Sequence, residues 1–254
     1  MKFRRSGFAL AIALLCWAWQ VQAGTFSVIG ETRWVQVAYV YDGDTFKTAK
    51  GERIRLLGIN TPEVTHGSEP GQIMGDEATQ ALKRIITGKI VRLAFDKERR
   101  DVYGRTLAQI WLRDGTWVNG KMVRQGFAHV YTFTPNLRWA KKLIVLEQSA
   151  RKQRLGIWNT KRFSVLLANR VKKSNIGQFH VVTGKINRIN RNGFGFRLAK
   201  LNISIPRKYR KWFKPPPRLY VGQSLTVRGM VRAGRKGSLY LALHSPFDLE
   251  TLTP

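Results

Sequence analysis

Short runs with apolar residues at every second position, separated by turns rich in glycine and aspartate, constrain the fold of this chain most strongly. Val35, Val37 and Tyr39 alternate along a first strand that begins at Thr32. The dipeptide Asp42-Gly43 follows, which is typical of a tight turn into a second strand. Three more strand-like runs are RIRLLGI, KIVRLAF and RTLAQIWL. Five short strands of this kind predict a small closed barrel, because closure removes the exposed sheet edges.

Three other segments have helical spacing. In EATQALKRIITG the apolar residues fall on one side of a helix, and Gly88 is a natural cap at its end. The segments WVNGKMVRQGF and LRWAKKLIVLEQSARKQRLGIW are the second and third. In the third, the pattern leaves open whether Leu146 or Glu147 lies on the apolar side. We interpret each apolar stripe as plain core.

The charge of the chain indicates a polyanionic partner. The formal net charge is +30, and it is +27 without the first 23 residues. Residues 161–254 contain 20 basic side chains and two acidic ones, and no carboxylate occurs from Gln148 to Phe247. A field of this sign attracts phosphate chains. DNA or RNA is therefore the first candidate partner, with anionic cell-surface polymers and lipid headgroups as alternatives, and no obligatory protein partner is implied.

The first 23 residues have the pattern of a secretory signal. A basic start, a short apolar stretch and a small-residue ending at Ala23 predict cleavage and export to the periplasm or the medium, and a retained anchor is the alternative. No stable membrane span is expected after removal of the signal. Cys16, the only cysteine, lies in this segment, so the mature chain must be stabilised by a hydrophobic core rather than by disulfides.

The remaining chain divides into two predicted domains, at 24–160 and 178–254, joined by a basic linker at 161–177. The second domain contains two strand pairs with Gly-rich turns and resembles an OB-like barrel that interleaves basic and aromatic residues. Such barrels bind single strands by stacking bases on aromatic rings in a cationic groove. The alternative is an ordinary β core with its aromatic residues turned inward. For the segment RKYRKWFK we favour a surface that binds the nucleic acid, because a loop interrupted by prolines does not easily bury all three aromatic residues.

Several residues of the first domain could serve catalysis if the fold brings them together. Asp44, Asn60 and Thr61 offer the oxygen donors that Ca²⁺ prefers. Arg55 and Arg105 could meet the negative charge that develops during phosphodiester hydrolysis. Each signal is weak on its own. A lone Asp-Gly-Asp is usually a hairpin turn, and an arginine in an apolar strand can extend its charge to solvent.

The motifs YVYDGDTF, IRLLGINTPE, DVYGRTLAQIWL, VNGKMVRQGFAHV and ARKQRLGIW occur together and in one order. In this order and spacing they resemble the thermonuclease, or staphylococcal nuclease-like, family, over about residues 35–158. The resemblance implies an α+β fold, with an OB-type barrel of five strands and three helices. It also implies a Ca²⁺-dependent nuclease that acts on DNA and RNA and leaves a 3′-phosphate and a 5′-hydroxyl.

The resemblance also implies roles for individual residues. Glu63 would activate the attacking water, and Arg55 and Arg105 would stabilise the transition state. The metal ligands would come from Asp44, Asn60 and Thr61, and the nucleotide contacts from Tyr103 and Tyr131. Asn60 stands where the family usually has aspartate, so we expect weaker Ca²⁺ binding. A nucleic-acid-binding protein with weak or no catalysis is the alternative function, and an envelope protein bound to anionic polymers is a third.

Overall fold

The computed structural model describes residues 31–65, 67 and 70–251, with the side chain of residue 251 excepted. The predicted signal at 1–23 lies outside the described residues. No helix in the described part of the chain has both the length and the apolar character needed to cross a membrane. The first domain contains, in chain order, β1 (Thr32–Val40), β2 (Thr45–Thr48), β3 (Arg53–Leu56), β4 (Ile59–Asn60), α1 (Gly75–Ile86), β5 (Ile90–Ala94), β6 (Thr106–Trp111), α2 (Val118–Arg124), β7 (His129–Val130) and α3 (Ala140–Lys152).

Five of these strands form the predicted closed barrel, in the order β1-β2-β3-β6-β5. All neighbours are antiparallel except β3 and β6, which run parallel with Arg55 opposite Leu107. The inward side chains, among them Phe46, Ile54 and Ile110, are fully buried. The alternating pattern is correct for Val37 of β1 and wrong for Tyr39, because a β-bulge between these residues turns Val40 into the core and leaves Tyr39 exposed.

The three predicted helices are confirmed and pack against this barrel. In α1 the residues Ala78, Ala81, Leu82, Ile85 and Ile86 are all buried in the core, as the spacing predicts. In α3 the pattern left two candidates for one buried position. Glu147 is the buried one, with no exposed surface. A carboxylate in this environment requires charged partners, because water no longer solvates it.

The second domain is a second barrel. Its strands are β8 (Leu166–Leu167), β9 (Phe179–Ile189), β10 (Gly195–Leu198), β11 (Leu201–Ser204), β12 (Ser224–Ala233), β13 (Leu239–Ala242) and β14 (Leu249–Thr251). The pairings close a ring in the order β9-β10-β11-β13-β12, with β12 pairing back onto β9. β8 and β14 extend the sheet from β9 and β12.

Both barrels have the same strand order. In each ring the first, second and third strands are followed by the fifth and then the fourth, and the third and fifth strands are parallel. This is the order expected of an OB-type barrel. The OB-like interpretation of the second domain therefore agrees with its topology.

The aromatic residues of the second domain divide between core and surface. Phe196 is buried, which agrees with the inward alternative. Phe213 departs from the surface position favoured for RKYRKWFK, because it is buried in the core of the second barrel, while Tyr209 and Trp212 are only partly buried against it. A short 3-10 turn over Arg207–Trp212 directs these rings toward the barrel without requiring a strand or an α-helix.

The two barrels share an apolar interface. Phe179 and Val181 of β9 cluster with Ala150 and Trp158, which lie at the end of α3 and just beyond it. Phe163, within the predicted linker 161–177, is buried in the same cluster, and β8 pairs with β9. The segment 161–177 thus packs against both barrels.

Beside this cluster lie four charged side chains that we call the interface tetrad, namely Glu147, Arg151, Arg228 and Glu250. Arg228 Nη1 lies 2.8 Å from both carboxylate oxygens of Glu147, and its Nη2 contacts Glu250. Arg151 Nη2 lies 2.6 Å from Glu250 Oε2. Two positive and two negative charges therefore balance across the interface. The two acidic residues of the second domain, Asp248 and Glu250, are both engaged with the first domain.

Candidate active site

The tight turn between β1 and β2 positions the two aspartates of the predicted site. The backbone N–H of Asp44 donates to Asp42 Oδ1 at 2.9 Å, and Asp44 itself is buried. A Cβ added to Gly43 would lie 2.8 Å from both Ala78 and Thr61. Glycine is therefore required here by close packing against α1 and the loop after β4. The same close approach brings Asp44 to Thr61.

Arg55 on β3 is buried and ion-paired. Its Nη1 lies 2.7 Å from Asp44 Oδ2, and its Nη2 donates to Asn60 Oδ1 at 2.8 Å. The alternative that its side chain extends to solvent is therefore excluded. A guanidinium in this position carries a fixed positive charge at the edge of the barrel, held by a carboxylate on one side and an amide on the other.

Asn60 and Thr61 complete this cluster. The backbone N–H of Thr61 donates to Asp44 Oδ2 at 3.0 Å, and its hydroxyl donates to the same oxygen at 3.2 Å. The Asn60 amide donates to the Thr61 carbonyl at 3.0 Å. The structure thus brings together Asp44, Arg55, Asn60 and Thr61, four of the residues predicted from the sequence.

The donor chemistry of this cluster fits a hard cation with few charged ligands. Carboxylate, amide and carbonyl oxygens of Asp44, Asn60 and Thr61 lie in one hydrogen-bonded cluster, and these are the donor types that Ca²⁺ prefers. Burial and the neighbouring Asp44 raise the pKa of Asp42 to about 6, which a cation between them would reverse. Among the described residues, however, no group of three or more His, Cys, Asp or Glu side chains could hold a metal. Neutral oxygens from Asn60 and Thr61 would have to complete the ligand set.

Glu63 lies two residues beyond Thr61, in the loop between β4 and α1, and its side chain is exposed. Its backbone carbonyl accepts from the N–H of Gln72 at 2.7 Å. A Cβ on Gly75 would lie 2.4 Å from that carbonyl, so the start of α1 must be glycine for the loop to pack as it does. The loop backbone is thereby fixed at a point where the Glu63 side chain is exposed.

Arg105 is positioned by a residue that the sequence analysis did not identify, Asp101. The Nε of Arg105 lies 2.7 Å from Asp101 Oδ2, and its backbone N–H donates to Oδ1 at 2.9 Å. Partial burial opposes ionisation of Asp101, but the hydrogen bonds from Arg105 outweigh it and lower the pKa of that carboxyl. Tyr103 is exposed, with its ring 5.4 Å from the Arg105 guanidinium. Arg105 precedes β6, the parallel neighbour of β3, and among the described residues its ion pair is with Asp101 and not with Asp44.

Tyr131, the other predicted nucleotide contact, follows β7 beside the Asn60 cluster. β7 pairs with β4, so Asn60 lies opposite His129, and the Tyr131 N–H donates to the Gly58 carbonyl at 3.0 Å. The Tyr131 ring packs edge-on against Phe133 at 4.6 Å and against Phe179 of the second domain at 5.6 Å. This contribution of the second domain is not visible in the sequence, because no local pattern links residues 48 positions apart.

The fold is an OB-type barrel, and its site combines the Arg55 guanidinium with the Asp44 carboxylate and the Asn60 amide. The exposed Glu63 follows in the next loop. Barrels with such a site form a class of nucleases. Residues 53–160 match the family model described as "Staphylococcal nuclease homologue". A thermonuclease of Staphylococcus hyicus is 33% identical over 156 residues, which cover 59% of this chain and 92% of that protein. A thermonuclease of Staphylococcus intermedius is 35% identical over 158 residues, with the same shares covered.

The alignment with the endonuclease YncB of Bacillus subtilis is shorter. The two chains are 34% identical over 123 residues, which cover 46% of this chain and 58% of that protein. The alignments and the barrel agree on the first domain. The chain belongs to the staphylococcal nuclease family.

Proposed function

We propose that this protein is an exported, Ca²⁺-dependent nuclease that hydrolyses phosphodiester bonds of DNA and RNA. Family membership supports a phosphodiester hydrolase. The observation that carries the proposal is the cluster in which Arg55 contacts both Asp44 and Asn60 beside the loop of Glu63. The second domain adds a basic surface that holds the substrate near this site.

In the proposed reaction, a water oxygen attacks the phosphorus while Glu63 accepts the proton of that water. The bond from phosphorus to the 5′ oxygen breaks and this oxygen takes a proton from solvent, which leaves a 3′-phosphate and a 5′-hydroxyl. Arg55 and Arg105 donate to the phosphoryl oxygens, whose negative charge increases in the transition state. Arg105 also stabilises the departing oxygen. Asp101 holds Arg105 by its Nε and leaves the terminal nitrogens available for the phosphate.

Asp44, Asn60 and the Thr61 carbonyl would hold the cation. When bound there, Ca²⁺ supplies a Lewis acid and a template for one phosphate oxygen. The direct pair between Arg55 and Asp44 keeps the Asp44 carboxylate in place beside the guanidinium.

The proposed function is tested by incubating the purified protein with plasmid DNA and with single-stranded RNA in millimolar Ca²⁺, or in excess chelator. We expect degradation of both with Ca²⁺, none with chelator, and recovery when Ca²⁺ is restored. Salt-sensitive binding without cleavage in any amount of Ca²⁺ would instead support the non-catalytic binding protein.

Asn60→Asp is expected to lower the Ca²⁺ concentration for half-maximal activity about tenfold, since affinity increases with the charge of the ligands. The substitution also removes the amide that donates to the Thr61 carbonyl, so this oxygen gains freedom to bind the cation. A Ca²⁺ titration of the cleavage rate measures the effect. Asn192→Asp, an exposed change of the same chemistry in the second domain, is the control and should leave the titration unchanged. An unchanged midpoint in Asn60→Asp would exclude Asn60 as a ligand.

A further inference from the structure

The second barrel is docked so that part of it borders the active site. Thr132, the neighbour of Tyr131, makes a hydrogen bond with Ser245 at 2.8 Å and donates to Asp248 Oδ1 at 2.9 Å. The other Asp248 oxygen accepts from the backbone N–H of His244 at 2.6 Å. A short chain of buried contacts therefore fixes His244 relative to Tyr131.

His244 belongs to a pair of rings at this border. Its ring lies 4.6 Å from the ring of Tyr209, and both residues are half-buried. Lys208 Nζ lies 4.8 Å from the Tyr209 ring. Farther along the same 3-10 turn, the Trp212 ring lies 5.5 Å from Nζ of Lys97 in the first domain. Aromatic and cationic groups of the second domain thus line the edge of the first.

Arg232 lies opposite Tyr240 in the pairing of β12 with β13, the strand that leads to His244. It is exposed near the end of β12, and in the described part of the chain no carboxylate pairs with it. Burial raises the pKa of the Tyr131 hydroxyl, and the charges of Arg232 and Arg55 both oppose that shift. Arg232 also opposes protonation of His244, whose pKa is lowered mainly by burial. A positive charge from each domain therefore acts on the Tyr131 hydroxyl.

We infer that Tyr209, Arg232 and His244 form a substrate subsite of the second domain, which binds the part of a single strand that extends from the scissile phosphate past Tyr131. Arg232 binds a backbone phosphate, and a base stacks on the Tyr209–His244 pair. The bases must be unpaired for this, because a base inside a duplex is already stacked on its neighbours. This inference rests on the proposed function for the position of the scissile phosphate.

The subsite predicts a dependence on strand length. A single strand of about 12 nucleotides reaches both domains, whereas a nitrophenyl ester of one nucleotide reaches only the first. Arg232→Ala should reduce the ratio of kcat/KM on the strand to kcat/KM on the ester about tenfold. Arg235→Ala, an exposed arginine in the β12–β13 turn, removes the same charge farther along the chain and should change this ratio less than twofold. An equal loss on both substrates would overturn the inference.

Binding tests the subsite separately from catalysis. In excess chelator, the affinity for a fluorescent single strand should fall about tenfold in Arg232→Ala, and the slope of log K against log salt should decrease by about 0.7. Tyr209→Leu keeps an apolar side chain against the core but loses the stacking face, and should also weaken binding. Exposed Tyr220→Leu is its control. Equal affinities in Arg232→Ala and Arg235→Ala would refute the subsite, whereas absence of cleavage by the wild type would refute only the proposed nuclease activity.

Discussion

Glu63→Gln is expected to reduce the rate of DNA cleavage about 1,000-fold, within the range typical of a lost general base. Glutamine has nearly the same size but cannot accept the proton of the attacking water. Because the Glu63 side chain is exposed, the free energy of unfolding should change by about 0.5 kcal/mol or less. Single-turnover cleavage at saturating Ca²⁺ measures the loss, and urea denaturation measures the stability.

The matched control is Glu77→Gln, the same replacement at an exposed position in the first turn of α1. It should retain activity within about twofold, because a surface substitution of this kind disturbs little. Arg105→Ala should also lower kcat, because the phosphoryl charge loses one donor. A Glu63→Gln protein that cleaves at more than a tenth of the wild-type rate would remove Glu63 from the role of base.

Arg228→Met is expected to lower the free energy of unfolding by about 3 to 5 kcal/mol, the usual cost of removing one partner from a buried ion pair. The change leaves Glu147, which is fully buried, with less of its compensating charge, and removes the contact with Glu250. Urea denaturation followed by fluorescence and by circular dichroism measures the loss. Arg235→Met makes the same chemical change at an exposed position and should cost little.

A double substitution distinguishes lost charge balance from lost packing. Glu147→Gln combined with Arg228→Met leaves Arg151 and Glu250 as a neutral pair, and glutamine keeps an oxygen for the Val130 N–H. The double variant should therefore be about 2 kcal/mol more stable than Arg228→Met alone. If the double variant is instead less stable, the interface tetrad contributes through shape rather than through charge.

Much of the first domain could be predicted from the sequence because its signals are local. Alternation defined the strands, and Asp42-Gly43 defined the turn that carries Asp44. Arg55, Asn60 and Thr61 lie within seven residues of one another, so a single strand and its end bring them together. The role of Asp101 in positioning Arg105 could not be predicted, although Asp101 is only four residues before Arg105. An isolated aspartate in a loop is ordinarily a solvated turn residue.

The interface between the barrels could not be predicted in this way. Glu147 and Arg228 are 81 positions apart. A glutamate in a helix and an arginine in a strand are both common, so neither residue alone indicates a buried ion pair. Helical spacing could not distinguish Glu147 from Leu146 as the buried residue. Spacing shows which side of the helix a residue lies on, but it does not show which groups pack against that side. Phe213 was assigned to the surface for a related reason: the prolines exclude regular structure, but they do not prevent a single ring from entering the core.

In the proposed function, the second barrel would hold a cleaved strand much as it holds an intact one. The acid-free stretch from Gln148 to Phe247 contains no carboxylate that could repel a departing phosphate, and the two acids that follow it are committed to the first domain. In dilute buffer, escape of the fragments should therefore limit turnover more than bond breaking does. Moderate amounts of salt would then accelerate the enzyme before higher amounts weaken its hold on fresh substrate.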